Sequence, residues 1–194
     1  MSLLGDTMRY SLFFVVLLLF AALAYAIDYW GATVEVIYRA VEPITLSVYD
    51  IHSPDKGTVT IEEIENGYRV TINYDVLYYH DFVEVAANVV GSEGNMTINI
   101  AEFTYNQSST YLMFLITELC NATVVVDNNV VMSVDAGECY TGEYEMLRAS
   151  STGVHSVRIV TALGADSSRL RFKVRPYNQL YAISGTAVIE FTTQ

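Results

Sequence analysis

The chain has 194 residues, of which 52% are hydrophobic, and its 22 acidic against 10 basic residues give a formal net charge of −12. This negative charge argues against nucleic-acid binding, because a phosphate backbone is bound through Lys and Arg. The hydrophobic content is too high for an intrinsically disordered chain, and the length indicates a single domain.

The N-terminal segment has the composition of an export signal. Residues 10–27 follow Arg9 and carry no charge, and Ala24 and Ala26 form an A-x-A pattern near their end. These features predict a secretory signal peptide over residues 1–26. The alternative is an uncleaved membrane anchor, since a helix of this length rises about 27 Å against a hydrocarbon core of roughly 30 Å. A type IV pilin leader is disfavoured, because a single basic residue precedes the apolar block and extended chain follows it.

Residues 27–40 have the pattern of a β-strand. One set of alternating positions there consists of small or apolar residues: Ala32, Val34, Val36 and Tyr38. Such a strand either joins the sheet of its own molecule or completes the sheet of a neighbour, as in donor-strand complementation. Head-to-tail donation of one strand per subunit is a heterologous contact, so it would propagate into a filament.

The remaining residues, 41–194, have the pattern of β structure. Apolar and polar residues alternate with a period of two, most clearly in residues 68–75, which is typical of half-buried strands. Residues 111–119 fit a buried strand or a short helix, and Asn128-Asn129 fits a tight hairpin turn. We therefore expect an all-β fold, a jelly-roll-type β-sandwich preceded by an N-terminal hydrophobic signal helix. The predicted strands are residues 45–49, 58–64, 68–75, 83–90, 96–100, 123–127, 130–135, 154–161, 169–175 and 187–192.

Three Asn-x-Ser/Thr sequences occur in the middle of the chain, at Asn95, Asn106 and Asn121. Each fits the acceptor pattern for N-glycosylation. Together with the export signal, they indicate a glycoprotein that is located outside the cell or at the cell surface.

The two cysteines, Cys120 and Cys139, flank the predicted hairpin. In an oxidising compartment two such thiols are expected to pair. The disulfide would close a loop of about 20 residues and stabilise the fold by roughly 3 kcal/mol in the chain-entropy model. The alternative is a pair of buried free thiols.

Four of the ten basic residues share one face of a single predicted strand: Arg169, Arg171, Lys173 and Arg175. One interpretation is a solvated face, or protection of a sheet edge against unwanted pairing. The other is an ionic contact with an acidic surface such as Glu62, Glu63 and Glu65, in the same domain or on another copy.

The chain has no evident catalytic motif and no metal-ligand spacing. The histidines are His52, His80 and His155, and none has metal-site spacing to another or to a cysteine. Nucleotide-binding and hydrolase motifs do not occur. His80 and Asp81 would point to opposite faces of a strand, so we interpret them as a solvated polar strand end. We expect no enzyme activity, no metal and no cofactor.

An export signal, a strand-like segment after it, a Tyr- and Val-rich β-sandwich and acceptor sequons together resemble the archaeal bundling pilins. These pilins are similar in build to TasA-type bacterial biofilm fibre proteins. Low Lys content, with only Lys56 and Lys173, resembles that of hyperthermophilic archaeal surface proteins. The resemblance lies in architecture and in no family-specific motif. It implies a filament subunit whose N-terminal strand, about residues 27–39, inserts into the next subunit, with bundling between filaments.

The sequence thus predicts an exported, non-enzymatic β-sandwich that polymerises head to tail into a pilus-like extracellular filament and promotes cell adhesion or biofilm formation. Its partners would be other copies of the chain, with no nucleic acid, and it would contact a membrane only through an uncleaved signal segment. The alternative is a membrane-anchored or secreted surface domain that binds carbohydrate, metal or another envelope protein.

Overall fold

The computed structural model describes residues 44–194, and this part of the chain consists of β-strands joined by turns and short loops. Every pair of neighbouring strands in it is antiparallel. The strands are β1 (Ile44–Asp50), β2 (Gly57–Ile64), β3 (Gly67–Tyr79), β4 (Val83–Val90), β5 (Glu93–Tyr105), β6 (Tyr111–Cys120), β7 (Ala122–Val126), β8 (Asn129–Ser133), β9 (Cys139–Ala149), β10 (Gly153–Thr161) and β11 (Ser167–Thr193).

The predicted all-β sandwich is confirmed, with two differences in its strands. The sequence leaves open whether residues 111–119 form a strand or a short helix. Residues 111–119 belong to strand β6 and form no helix. The sequence pattern does not predict β9, and it divides the single strand β11 into two. The signal peptide predicted over residues 1–26 and the strand predicted over residues 27–40 lie outside the described residues. Among residues 44–194, no helix has the length and apolar character needed to cross a bilayer.

Strand β11 belongs to both layers of the sandwich. Its first part, residues 167–177, pairs with β4 and β6, and its second part, residues 182–193, pairs with β3 and β5. The first layer has the order β1-β4-β11-β6-β9. The second layer has the order β2-β3-β11-β5-β10-β7-β8. Consecutive strands mostly alternate between the layers, as in a jelly roll.

The chain changes layers at residues 178–181, where the register of β11 against β3 shifts. The buried side chain of Asn178 holds this segment. Its Nδ2 donates to the carbonyl oxygen of Ser108 at 3.0 Å, and its Oδ1 accepts the backbone N–H of Leu180 at 3.0 Å. A buried amide left without partners would cost about 1–3 kcal/mol, so these two hydrogen bonds fix the bend.

The core lies between the two layers and is continuous across β11. The rings of Phe172 in the first layer and Phe191 in the second are 5.9 Å apart between centroids, and Phe114 lies 6.3 Å from Phe172. Because side chains of a strand alternate between its faces, the residues between these buried positions point outward. The fully buried residues of β11 include Leu170, Phe172, Val174, Ala187, Ile189 and Phe191.

Candidate functional site

The four basic residues of β11 lie on the outer face of the first layer. They alternate with buried apolar residues of the same strand, so their side chains point away from the core. Each forms an ion pair with a carboxylate from a neighbouring strand or loop. The pairs are Arg169–Glu118, Arg171–Glu118, Arg171–Glu84, Lys173–Asp81, Arg175–Asp81 and Arg175–Glu143.

These ion pairs differ from the contact that the sequence suggests. Glu62 and Glu63 are exposed on β2 in the second layer, and neither is a partner of the basic residues. Glu65 lies in the turn that follows β2 and is also exposed. The basic strand does not protect a sheet edge, because it lies between β4 and β6. Its charges are instead compensated within the domain by acidic side chains of β4, β6, β9 and the loop before β4.

Asp81 and Arg175 form the most enclosed of these pairs, with side chains 22% and 11% exposed. The Nε of Arg175 donates to Oδ1 of Asp81 at 2.6 Å, and the Nζ of Lys173 donates to Oδ2 at 3.2 Å. Burial raises the pKa of Asp81, but the hydrogen bonds and charges of Arg175 and Lys173 outweigh it and hold the pKa below its ordinary value of 3.8. Asp81 is therefore ionised at neutral pH.

Three tyrosines, Tyr79, Tyr111 and Tyr177, form a partly exposed aromatic cluster beside the point where β11 changes layers, here named the tyrosine platform. Tyr177 is paired in register with Tyr79 of β3 and with Tyr111 of β6. Its ring centroid lies 6.0 Å from that of Tyr79 and 5.3 Å from that of Tyr111. The Cζ atoms of Arg175 and Arg148 lie 4.8 Å and 4.4 Å from the centroids of Tyr79 and Tyr111. Tyr79 is 56% exposed, whereas Tyr111 and Tyr177 are half-buried.

A groove of about 420 Å³ adjoins the platform at Tyr79. Strand β3 ends at Tyr79, so the next two residues are not on opposite faces of a strand, and both His80 and Asp81 line the groove. The Nε2 of His80 accepts the backbone N–H of Ser53 at 3.2 Å, which fixes the imidazole in place. The residues that line the groove are Ile51, Tyr79, His80, Asp81, Glu84 and Lys173.

Exposed apolar side chains extend the platform along β3 and the crossing segment. Leu77 precedes Tyr79 on the same face of β3 and is 61% exposed. Leu180 and Tyr181, which follow Tyr177, are 70% and 52% exposed. A cluster of large exposed apolar residues on a folded domain typically marks a binding surface.

The predicted disulfide is confirmed. Cys120 and Cys139 are joined at an S–S distance of 2.03 Å and connect β6 to β9. The β7–β8 hairpin between them turns at Asp127 and Asn128, one residue before the expected position, and both have positive φ, 47° and 66°. Glu118 lies close to both sulfurs, but the sulfurs are bonded to each other and offer no thiolate to a metal.

The other sequence-predicted site residues occupy different parts of the chain. Asn95 is half-buried in β5, Asn106 is exposed in the turn after β5, and Asn121 is half-buried between β6 and β7. The predicted donor-strand residues Ala32, Val34, Val36 and Tyr38 lie outside the described residues, as does the whole segment before Ile44.

The comparisons with known proteins give weak likenesses. No protein family and no curated protein matches the chain. Among solved structures, it is similar to a carbohydrate-binding module of the β-sandwich superfamily (8% identity, TM-score 0.30, covering 77% of this chain and 56% of the other). It is also similar to the enzymatically active domain of tailspike protein 4 from bacteriophage CBA120 (11% identity, TM-score 0.31, covering 81% of this chain and 20% of the other). A third is a mannan-recognising carbohydrate-binding module (12% identity, TM-score 0.26, covering 79% and 91%).

The chain thus spans 56% and 20% of the lengths of the first two structures. None of the three is a pilin, and the resemblance to bundling pilins has no support from them. At these TM-scores, the likenesses say nothing about what the chain binds.

Proposed function

We propose that the chain is an exported, non-enzymatic β-sandwich module that binds neutral carbohydrate on the tyrosine platform. The observation that carries this proposal is the contact of Tyr177 with both Tyr79 and Tyr111, which joins three rings into one surface. A tyrosine ring offers an apolar face to the C–H groups of a sugar and a hydroxyl at its edge. Aromatic walls combined with a few placed polar groups are typical of small-ligand sites.

The groove beside Tyr79 supplies polar groups for sugar hydroxyls. Asp81 and Glu84 are hydrogen-bond acceptors, and Lys173 is a donor. Their ion pairs hold these side chains before any ligand arrives, so little side-chain entropy would be lost on binding. The formal net charge of −12 disfavours anionic sugars and favours a neutral ligand.

The charge state of Asp81 argues against a role of this residue as a general acid. A general acid for glycosidic bond cleavage needs a carboxyl group with a raised pKa, whereas Arg175 and Lys173 lower the pKa of Asp81 against the opposing effect of burial. Binding without turnover is the function that we propose. The Cys120–Cys139 bond supports export, because disulfides persist in oxidising compartments.

Replacing Tyr177 with alanine should weaken carbohydrate binding by about tenfold or more, because the central ring of the platform is removed. The measurement is isothermal titration calorimetry of the full chain with soluble mannan, xylan and mixed-linkage β-glucan. Tyr144→Ala is the matched control, since Tyr144 is 46% exposed on β9 and is not part of the platform.

Two further variants sharpen this test. Tyr79→Ala should weaken binding in the same way as Tyr177→Ala, and Tyr177→Phe should retain most of the affinity because the ring remains. The proposal is wrong if Tyr144→Ala loses as much affinity as Tyr177→Ala, or if the unaltered chain binds none of the three polysaccharides.

The two edge strands β1 and β2 carry apolar side chains that are only partly covered, and this region, here named the seam, favours a second function, that of a filament subunit. Within residues 44–194, β1 pairs only with β4 and β2 only with β3, so each is the edge strand of its layer. A cleft of about 190 Å³ opens between residues 44–46 of β1 and the residues Asn66, Tyr68 and Thr193. A strand donated from residues 27–40 of another copy would cover this seam and use the free main chain of an edge strand. The apolar side chains of the seam that pack only partly against the core are Leu46, Val48, Val59 and Ile61.

Val36→Asp in the full chain should abolish filaments, because a charge on the inserted face of the strand would be buried without a partner. Thr33→Asp is the matched control, since Thr33 lies on the opposite face of the same predicted strand. The measurement is electron microscopy of the secreted protein. Filaments of unchanged number and length from Val36→Asp would exclude strand donation by this segment.

A further inference from the structure

The three acceptor sequons differ in how far the fold already uses the asparagine amide. Asn106 lies in the exposed turn after β5, where its backbone N–H donates to the carbonyl oxygen of Ser184 at 3.0 Å. The Oδ1 of Asn106 accepts the backbone N–H of Ser184 at 2.8 Å. This hydrogen bond fixes the orientation of the amide, so Nδ2 points away from Ser184. Within residues 44–194, Nδ2 of Asn106 has no hydrogen-bond partner, and it is the atom to which an N-glycan would be attached.

Asn121 differs from Asn106, because both Nδ2 and Oδ1 of its side-chain amide form hydrogen bonds within the fold. Its Nδ2 donates to the carbonyl oxygen of Ser167 at 3.3 Å, and its Oδ1 accepts the backbone N–H of Gly137 at 2.8 Å. The residue is half-buried and has a positive φ of 54°. A glycan on Nδ2 would break the contact with β11 and would have to fit beside the Cys120–Cys139 bond.

Asn95 is enclosed by regular structure. It lies within β5, opposite Arg158 of β10, and its carbonyl oxygen accepts the backbone N–H of Gln194 at 3.1 Å. The side chain is half-buried in a cleft of about 240 Å³, and the next residue, Met96, is fully buried. A bulky sugar at this position would have to stand among the side chains of three paired strands.

We propose that Asn106 is the N-glycan acceptor of this chain and that Asn95 and Asn121 are structural asparagines. In the reaction, Nδ2 of Asn106 attacks the anomeric carbon of a phosphate-activated, lipid-linked oligosaccharide. An N–C bond forms, the C–O bond to the phosphate breaks, the lipid phosphate leaves with the electron pair, and one amide proton is released. No oxidation or reduction is involved.

The position of Asn106 gives the glycan a defined place. Its turn is fastened to the crossing segment, because the Nδ2 of Asn178 donates both to the carbonyl oxygen of Ser108 at 3.0 Å and to Oγ1 of Thr110 at 3.3 Å. The crossing segment also carries the exposed Leu180 and Tyr181. The glycan would therefore stand at the margin of the apolar surface that extends the tyrosine platform.

The test is glycopeptide mass spectrometry of the full chain secreted by a eukaryotic host that carries out N-glycosylation. The expected result is a glycan mass on the peptide that contains Asn106 and none on those that contain Asn95 or Asn121. Ser108→Ala should remove this mass while leaving Asn106 in place, and Ser108→Thr should keep it. The Cys120–Cys139 bond, read in the same digest, shows that the chain has passed through an oxidising compartment.

Either of two results would overturn the proposal: a secreted, oxidised chain with unmodified Asn106, or a glycan on Asn95 or Asn121, whether or not Asn106 also carries one. These readouts do not depend on sugar binding by the platform. The acceptor assignment and the proposed function therefore fail or succeed separately.

Discussion

Replacing Phe172 with alanine should lower the free energy of unfolding by about 3–5 kcal/mol. Phe172 is fully buried and contacts Phe191 across the two layers and Phe114 within its own layer. The substitution leaves a cavity that the surrounding strands cannot close, because both layers are fixed by their pairing with β11. Urea unfolding followed by circular dichroism measures the change.

The control for this prediction is Val154→Ala. Val154 also lies on a strand, β10, but is 67% exposed, so its truncation should change the free energy of unfolding by about 0.5 kcal/mol or less. Equal losses for the two variants would mean that the layers are not packed against each other through Phe172.

Asp81→Asn should lower the free energy of unfolding by about 2–3 kcal/mol at pH 7, because it removes one of the two carboxylates that pair with the enclosed Arg175 and with it a charge-assisted hydrogen bond. The deficit should depend on pH. The pKa of Asp81 is lowered in the folded protein, where the contacts with Arg175 and Lys173 outweigh burial. Its stabilising contribution is therefore complete above the ordinary pKa and is lost as the pH falls through the lower folded value.

Urea unfolding at a series of pH values tests this dependence. The difference between the unaltered chain and Asp81→Asn should be constant from about pH 7 to pH 5 and should narrow below about pH 4. Asp135→Asn removes the same charge from an exposed loop position that has no ion pair among the described residues, and it should have little effect at any pH. A deficit of Asp81→Asn that stayed the same at pH 3 would show that the carboxylate charge is not its source.

Most strands could be predicted from local sequence, because successive side chains that point alternately to the core and to solvent give a period-two pattern of apolar and polar residues. Strand β9 has no such pattern. It is an edge strand with mostly exposed residues, and its pairing with β6 is interrupted by two register shifts. The division of β11 into two predicted strands has a different cause. Residues 178–181 lose the alternation where the chain changes layers, although the strand continues on both sides.

The candidate site is much less predictable than the fold. Tyr79, Tyr111 and Tyr177 are far apart in the sequence and meet only because β11 pairs with both β3 and β6. The 15 tyrosines in the chain are a visible signal, but composition cannot distinguish these three from the rest. The basic residues of β11 could be identified as a set, whereas their partners required the strand order.

Strand β11, which both layers share, also affects when the protein can fold. β11 follows the ten other described strands in the sequence and lies between β4 and β6 in one layer and between β3 and β5 in the other. Until this segment has been synthesised, neither layer is continuous, because β4 is not joined to β6 and β3 is not joined to β5. Formation of the complete sandwich therefore has to wait until β11 has been synthesised.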